Sequence, residues 1–382
     1  MSEWKEYKLG DLVTFQRGHD LPRDDMKDGV YPVAGSNSII GYHNKYTSDF
    51  PGITIGRSGN IGNPQLHKTK FWAHNTTLFV KEFKNVDPIF FYYLLKTLDF
   101  SQLNSGSAVP SLNRNFIHPF KVEIPSSIPT QTAIAEILSS LDDKIELNNK
   151  INYELETLAQ TLFKQWFIDF EFPNENGEPY KSSGGEMVES ELGEIPKGWE
   201  VNRLNDIADC FDNKRIPLSS MERNVRKGNY PYYGAASLMD YIDDYLFDGV
   251  YILMGEDGSV TDNTGYPVLQ YVFGKFWVNN HAHVLKGRKI STELVLCLLK
   301  NTNISDLVTG AVQPKLNQGN MNKISIPLPK DLLIISDLEK LITEYYNLIR
   351  NNILEIKELV NIRDILLPKL ISGELEINEI NN

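Results

Sequence analysis

Two histidines one residue apart form the part of the sequence that most resembles a metal site. Alternate side chains of a strand point to the same face, so His281 and His283 could bring two imidazoles together. Zinc sites need a third protein ligand, and none is close in sequence. We therefore expect ordinary strand histidines and no metal site.

Two other segments match catalytic motifs only in part. Gly56-Arg-Ser-Gly-Asn-Ile-Gly62 lacks the Gly-Lys-Ser/Thr ending of a phosphate-binding loop and does not open a helix, so a turn between strands is expected. Asp24, Asp25 and Lys27 have the residue types of a nuclease site, but a proline and a glycine nearby predict a loop without a strand to align a metal ion. We expect no catalytic residue in this chain.

Cationic and amide side chains on predicted loops have the chemistry needed to bind DNA. Arg, Lys, Asn and Gln read base edges in the grooves, and basic groups contact phosphates. The candidates are Arg17, Arg57, Asn60, Lys68, Lys70 and Arg114 in the first half, and Lys214, Arg215, Arg226, Lys227, Lys275 and Lys315 in the second. Each one alone is more often a solvated surface charge, so the prediction depends on the whole set.

The net charge of −12 argues at first sight against a nucleic-acid partner, because neutralising phosphates requires Lys and Arg. The acidic residues are concentrated, however. Residues 130–196 contain 14 Asp or Glu and 4 Lys or Arg, which leaves 36 acidic and 34 basic residues elsewhere. Most of the chain is close to neutral, so its charge does not exclude DNA.

The sequence also indicates a compartment. The N-terminal segment lacks the cationic and apolar regions of a secretory signal, and the longest apolar run, residues 89–95, is too short to span a membrane. Cys210 and Cys297 are the only cysteines, and their spacing fits neither a metal site nor a disulfide framework, so both are expected to be packing residues. We expect a cytoplasmic protein with no membrane partner.

The elements that would position these residues occur twice in the chain. Trp4-Lys-Glu-Tyr-Lys-Leu-Gly-Asp-Leu12 matches Trp199-Glu-Val-Asn-Arg-Leu-Asn-Asp-Ile207 without a gap. Three further pairs follow in the same order: Tyr31-Pro32 with Tyr230-Pro231, Lys70-Phe-Trp72 with Lys275-Phe-Trp277, and residues 105–113 with residues 309–317. An internal repeat of this length predicts two similar domains.

Each repeat has the same kinds of predicted element. Strands are expected at residues 52–56 and 248–253, apolar helices at 88–98 and 292–299, and strands that run into proline at 120–125 and 324–327. Asn75 and Asn280 also match, which predicts a structural role for both. Residues that differ between the repeats are expected to carry any sequence preference.

A long helix follows each domain, from about Thr130 to Phe170 and from about Leu332 to Leu370. Both carry residues in unbroken 4-3 heptad spacing, and each member of the second set lies 204 residues after its counterpart, as Leu338 does after Ile134. A helix of ~40 residues is ~60 Å long, which exceeds what one small domain covers. We therefore expect the two helices to pack against each other in antiparallel directions.

Asn148 and Asn352 occupy the same heptad position near the middle of their helices. A buried Asn in such a seam commonly fixes the register of a coiled coil. We predict that these residues approach each other. The alternative is two exposed asparagines, since Asn is usually a surface residue.

These patterns predict an α+β fold with two mixed α/β domains in a pseudo-two-fold arrangement, joined by two long antiparallel helices that form a coiled coil. The predicted boundaries are 1–129 for the first domain, 130–172 for the first helix, 173–198 for a polar linker, 199–331 for the second domain, 332–372 for the second helix and 373–382 for a C-terminal tail.

The order and duplication of the segments resemble the specificity subunits of type I restriction-modification enzymes over nearly the whole chain. The resemblance rests on the strands that run into proline and on Gln131-Thr-Ala-Ile-Ala-Glu-Ile-Leu138, Leu162-Phe-Lys-Gln-Trp-Phe-Ile-Asp-Phe170 and Glu191-Leu-Gly-Glu-Ile-Pro-Lys-Gly-Trp199. It implies two target-recognition domains that each read one half of a split DNA site, and helices that act as a ruler between the halves.

The resemblance also implies partners. Two modification subunits would bind S-adenosylmethionine and methylate adenine, and restriction subunits would use ATP and Mg. This chain lacks the Asn/Asp-Pro-Pro-aromatic motif of such a methyltransferase, so it is expected to hold no cofactor itself. The second helix opens with Asp331-Leu-Leu-Ile-Ile-Ser-Asp337 and lacks the glutamine of the first, which predicts partner-docking surfaces of different strength.

Two other functions fit parts of the sequence. A duplicated domain on a coiled coil could bind only protein, and salt-sensitive binding to duplex DNA in the presence of partner subunits would separate that function from DNA recognition. An enzyme site could lie in the domain clefts, but no nucleophile, carboxylate or metal-ligand set matches in both repeats.

Overall fold

The computed structural model describes residues 3–59, 61–100, 111–310 and 312–377. The chain forms two compact units. Unit 1 contains residues 1–148 and 355–382, and unit 2 contains residues 149–354. Both long helices are therefore divided between the units. Among the described residues, no helix is long and apolar enough to cross a membrane.

Unit 1 contains the first repeat and parts of both long helices. Its strands are β1 (Trp4–Lys8), β2 (Val13–Arg17), β3 (Tyr31–Ala34), β4 (Ile39–His43), β5 (Gly52–Gly56), β6 (Pro64–His67), β7 (Trp72–Ala73), β8 (Thr77–Phe83) and β9 (Lys121–Pro125). Its helices are α1 (Leu9–Leu12), α2 (Pro88–Thr97), α3 (Arg114–Ile117) and the first half of α4 (Ile128–Phe167). The second half of the last helix, α9 (Ser336–Ser372), completes the unit.

Unit 2 contains the second repeat. Its strands are β10 (Met187–Ser190), β11 (Gly193–Pro196), β12 (Trp199–Arg203), β13 (Ala208–Cys210), β14 (Lys227–Tyr233), β15 (Leu238–Ile242), β16 (Phe247–Gly255), β17 (Leu269–Val278), β18 (Ala282–Gly287) and β19 (Ser325–Pro329). Its own helices are α5 (Leu204–Ile207), α6 (Ser220–Val225), α7 (Thr292–Lys300) and α8 (Gln318–Met321).

The sheets of the two units follow the same plan. In unit 1, β1 pairs with β9, a four-stranded sheet has the order β2-β8-β5-β6, and a three-stranded sheet has the order β4-β3-β7. In unit 2, β12 pairs with β19, and a six-stranded sheet has the order β13-β18-β16-β17-β14-β15. The parallel pair β3 and β7 corresponds to the parallel pair β14 and β17.

Backbone hydrogen bonds confirm the duplication. The amide of Leu9 donates to the carbonyl of Phe120 at 2.9 Å, and the amide of Leu204 donates to that of Ile324 at the same distance. The two strands predicted to run into proline are β9 and β19, and the two predicted apolar helices are α2 and α7. The repeat in the sequence is therefore a repeat in the fold.

The core of unit 1 forms around α2. This helix begins at Asp87, whose carboxylate accepts hydrogen bonds from the amides of Ile89 and Phe90, both at 2.9 Å. Its apolar face is buried against residues of α4 and α9, including Leu138 and Leu370. In unit 2, α7 has the corresponding place in the core.

Gln131 belongs to this core. It is 1% exposed, donates to the carbonyl of Pro125 and accepts from the amide of Asp87, both at 2.8 Å. The aligned residue of the second repeat is Ile335, which is fully buried. The side chain of Gln131 therefore lies inside the unit, and the predicted difference in strength between the two partner-docking surfaces stays a prediction.

Within each unit, residues of α4 and α9 contact each other in opposite chain directions. In unit 1, Arg363 donates to Asp142 and Asn148 donates to Glu355, both at 2.7 Å. In unit 2, the α4 residues Ala159 and Phe163 share a core cluster with Ile342 and Tyr346 of α9. Later residues of α4 thus meet earlier residues of α9.

The ends of the predicted elements differ slightly from those observed. The second helix begins at Ser336 rather than Leu332, because residues Leu332–Ile335 form a 3-10 turn. The predicted linker contains the β10–β11 hairpin. Phe172 stacks on Tyr180 with ring centroids 4.7 Å apart, and both precede Trp199, whose ring is 5.3 Å from that of Phe172. These aromatic contacts hold the linker in place, although its sequence has no regular spacing of apolar residues.

His67 makes the stability of unit 1 depend on pH. It is 7% exposed, its Nε2 is 2.9 Å from Thr54 Oγ1, and its ring stacks on Phe71. Burial lowers the pKa of His67 from 6.5 to about 4. The unfolded chain therefore takes up the proton first, so protonation of His67 does not change the stability above pH 6.5 and lowers it as the pH falls from 6.5 towards 4.

We expect the free energy of unfolding to fall by up to about 1.4 kcal/mol per pH unit across this window because of His67. The His67→Gln variant should lose less stability over the same range. Urea denaturation at a series of pH values measures both proteins. Parallel pH profiles for the two would contradict the assignment.

Candidate nucleic-acid interface

The predicted DNA-contact residues do not all have the same surroundings. Asn60 lies outside the described residues. Three arginines line one cleft of unit 1, several cations lie over aromatic rings, and others are held by carboxylates. The structure does not test which of them contact DNA, so these contacts stay predictions.

The cleft of unit 1 brings together Arg17, Arg57 and Arg114 from three separate elements. Arg17 ends β2, Arg57 follows β5, and Arg114 opens α3. The cleft has a volume of about 380 Å³, and its other lining residues are Gln16, Leu78, Ser111, Leu112, Asn113 and Asn115. We call it the arginine cleft.

Backbone pairing fixes the walls of the arginine cleft. Arg17 of β2 is paired with Leu78 of β8. The amide of Leu112 donates to the carbonyl of Arg57 at 2.8 Å, which attaches the segment before α3 to the end of β5. The guanidinium of Arg17 is 3.5 Å from Asp20, and that of Arg57 donates to the carbonyl of Asn75 at 3.4 Å. These contacts are long, so they hold the two guanidinium groups weakly.

The equivalent region of unit 2 has the same backbone but different side chains. The amide of Leu316 donates to the carbonyl of Glu256 at 2.8 Å, so Glu256 has the place of Arg57. Cys210 pairs with Leu285 as Phe15 pairs with Val80, so Asp212, two residues after Cys210, has the place of Arg17. In unit 2, two carboxylates therefore stand where unit 1 has the guanidinium groups of Arg17 and Arg57.

These carboxylates belong to a buried network. Arg215 donates to Glu256 and to the carbonyl of Ala282, both at 2.7 Å. His283 Nδ1 is 2.5 Å from Asp212, and its Nε2 is 2.8 Å from the carbonyl oxygen of Leu316. Burial opposes ionisation of Asp212, but the hydrogen bond with His283 and the neighbouring charges keep its pKa below the ordinary value.

Cys210, Asp212 and His283 have potential metal-ligand atoms within 4.8 Å of one another. Both ring nitrogens of His283 already have hydrogen-bond partners, however. Burial also raises the pKa of the Cys210 thiol to about 12, which disfavours the thiolate that binds metals. His281 is half exposed and 2.6 Å from Asp257. The two histidines therefore have separate surroundings and do not form a ligand pair.

A cluster of one lysine and two tyrosines occurs in both repeats. Lys70 lies 4.3 Å from the ring centroid of Tyr46, whose ring is 5.1 Å from that of Tyr31. In unit 2, Lys275 lies 4.6 Å from the ring of Tyr245, which is again 5.1 Å from a second ring, that of Tyr230. Sequence analysis missed the tyrosines. The matching Tyr-Pro and Lys-Phe-Trp segments could have found Tyr31, Tyr230 and the two lysines, whereas Tyr46 and Tyr245 lie outside them.

Other predicted cations are held within their own unit. Lys68 donates to Asp143 at 2.8 Å and to Glu146 at 2.6 Å, and these hydrogen bonds raise the pKa of Lys68. Both carboxylates are on α4, so Lys68 attaches the domain to this helix. Arg226 pairs with Asp243 at 2.8 Å and lies over Trp277, Lys227 pairs with Asp240 at 2.7 Å, Lys214 lies over Phe211, and Lys315 is 3.9 Å from Glu256.

Two predictions concern pairs of asparagines. Asn148 is 1% exposed and Asn352, which donates to Asn152 at 2.8 Å, is half-buried. The alternative in which both are exposed is therefore wrong, while their approach to each other stays a prediction. The backbone carbonyl oxygens of Asn75 and Asn280 each accept from an arginine at 3.4 Å, but the two arginines do not align, so the shared structural role of these asparagines stays a prediction.

The chain is similar to known DNA-specificity proteins. A family model described as the type I restriction modification DNA specificity domain matches residues 1–157 and 196–358. The MjaIX specificity subunit of Methanocaldococcus jannaschii is 31% identical over 339 residues, which are 81% of this chain and 75% of that protein. The HindI specificity subunit of Haemophilus influenzae is 25% identical over 483 residues, covering 98% of this chain and 100% of that protein.

A solved structure has the same fold. The type I restriction-modification S subunit from M. genitalium superposes with a TM-score of 0.64 at 18% identity, over 97% of this chain and 96% of that one. The mixed α/β architecture with two repeated domains is therefore shared with that protein.

The network around Arg215 can be tested against the exposed pair of unit 1. Arg215→Ala would leave Asp212 and Glu256 largely buried without their cation, so we expect a loss of about 3 kcal/mol in the free energy of unfolding. Arg17→Ala removes a longer, solvent-exposed pair and should cost less than about 1 kcal/mol. Denaturant titration of both variants checks this, and equal losses would contradict the description of unit 2.

Proposed function

Because this chain belongs to the type I restriction-modification DNA specificity family and is a specificity subunit of such a system, we propose that each of its repeated domains reads one half of a two-part DNA site. The observation that carries the proposal is the contrast between equivalent clefts. One backbone presents three arginines in unit 1 and a network of Asp212, Arg215 and Glu256 in unit 2. Domains with the same fold and different surface chemistry suit two different half-sites.

We propose that α4 and α9 form an antiparallel coiled coil that sets the spacing between the half-sites. The helices have 40 and 37 residues, so each is long enough to reach well beyond a single domain. The polar contacts Asp142–Arg363 and Asn148–Glu355 in unit 1, and Asn152–Asn352 in unit 2, support one continuous register. Polar residues in such a seam select one register over others.

The chain would act as a non-catalytic part of a larger enzyme. Specificity subunits of this family are in general non-catalytic and work with other subunits and with DNA. We propose two modification subunits, which would bind S-adenosylmethionine, and restriction subunits, which would use ATP and Mg, all in the cytoplasm. Half-exposed apolar residues on the long helices, such as Leu147 and Ile365 in unit 1 and Leu158 in unit 2, offer docking surfaces.

The first test is adenine methylation in cells. Co-expression of this chain with the modification subunit from its own system should produce a split, asymmetric methylation motif across the host genome, and omission of the chain should abolish it. Sequencing that detects N6-methyladenine measures the result. A stable complex that binds the cofactor but methylates no motif would favour the alternative, a protein-binding scaffold.

The ruler is tested by lengthening both helices by one heptad, inserted after Asn148 in α4 and after Leu354 in α9. Seven residues add about 10 Å, or roughly three base pairs, so the spacer should lengthen while both half-site sequences stay the same. A control insertion of seven residues at Glu175, in the exposed turn after α4, should leave the spacer unchanged. An unaltered spacer in the heptad variant would refute the ruler.

A further inference from the structure

The arginine cleft of unit 1 has features of an anion-binding site. We propose that Arg17, Arg57 and Arg114 together bind a phosphate of the DNA backbone beside the half-site read by unit 1, and that unit 2 makes no such contact at the equivalent place. The proposal rests on the proposed function, which supplies the DNA. It adds the chemistry by which one domain holds its half-site.

The charges in the cleft favour an anionic ligand. Three guanidinium groups line one concavity, and among the described residues that line it there is no carboxylate. Like charges in one cleft repel each other, and a bound anion removes that repulsion. The remaining polar side chains, Gln16, Asn113 and Asn115, carry amide groups that can also donate to oxygen.

The internal contacts of the arginines leave donors for a ligand. Arg17 is half exposed, and its distance of 3.5 Å to the exposed Asp20 is that of a weak surface pair. Within the part of the chain that the structure describes, the guanidinium of Arg57 makes one hydrogen bond, at 3.4 Å, to a neutral carbonyl oxygen. Each guanidinium has five N–H donors, so these contacts use only a fraction of what the cleft offers.

The second repeat has different side chains at the equivalent backbone positions. Asp212, Glu256 and Gln318 have the places of Arg17, Arg57 and Arg114. Arg215 forms ion pairs with both carboxylates from within the unit, whereas the aligned residue of the first repeat, Asp20, lies 3.5 Å from Arg17 alone. The carboxylates of unit 2 thus have a close cationic partner inside the unit, whereas the contacts of Arg17 and Arg57 in unit 1 are long.

The shape of the site favours a phosphate over a base edge. Base edges are read in the grooves by side chains that project from a protein surface, and one arginine fork satisfies the two acceptors of guanine. A phosphate has several oxygens around one centre and can accept from several guanidinium groups at once. Three arginines that line one cleft fit the second kind of ligand better than the first.

The test uses the complete complex with the modification subunit and a duplex that carries the mapped site. Arg57→Gln and Arg114→Gln each remove one cation, and the second substitution introduces the residue type found at Gln318. Each variant should weaken binding by a similar factor on specific and unrelated duplexes and reduce the slope of log K against log salt by about 1. The methylation motif should not change.

Two controls separate this effect from others. Lys121→Gln removes an exposed cation of unit 1 that pairs with Glu6 and does not line the cleft, so its salt slope should equal that of the wild type. Arg57→Lys keeps the charge and should keep the slope even if the affinity falls. Thermal unfolding of each complex shows whether a variant is folded.

The possible outcomes are distinct. A changed base preference in one half-site would overturn the phosphate assignment in favour of base contact, and an unchanged salt slope in both glutamine variants would overturn the proposal entirely. A wild-type complex that neither binds nor methylates a two-part site would reject the proposed function itself. That result is obtained before any variant is made, so the two failures are distinguishable.

Discussion

The structure depends on the burial of both long helices in the core of each unit. In unit 1, α2 packs against Leu138 of α4 and Leu370 of α9, and in unit 2, α7 packs in one cluster with Phe163 of α4 and Ile342 of α9. Most helical stability in proteins comes from such packing of an apolar face rather than from intrinsic propensity. Neither repeat therefore has a complete core without residues from both helices.

Buried polar contacts orient the helices on these cores. In unit 1, Asp142 accepts from Tyr93 at 2.8 Å and from Arg363 at 2.7 Å. In unit 2, Glu293 accepts from Tyr271 and from Arg350, both at 2.7 Å. Burial, reinforced by the neighbouring carboxylate, raises the pKa of both tyrosines, so they stay protonated as donors. Each of these two sets of hydrogen bonds joins one carboxylate, one tyrosine and one arginine of α9, although the carboxylates and tyrosines do not align between the repeats.

The duplication keeps backbone positions and changes side-chain chemistry. The backbone contact of Arg57 with Leu112 recurs between Glu256 and Leu316, because these groups must be paired wherever the fold buries them. The side chains at the same positions are free to differ, since the cleft they line is open to solvent in unit 1 and filled by an ion-pair network in unit 2. A constant scaffold with variable clefts suits the proposed reading of two unlike half-sites.

The sequence by itself determined the repeat, the two apolar helices, the strands that run into proline and the two long helices, because period and spacing are local properties of a chain. Tertiary structure alone decided which cationic side chains are held by carboxylates of the same chain and which are left to contact a ligand. Lys68 is held by Asp143, 75 residues away, and Arg215 by Glu256, 41 residues away, and no local pattern encodes such pairs. It also buried Gln131 and joined Arg17, Arg57 and Arg114 in one cleft, since contacts between distant segments exist only after the chain has folded.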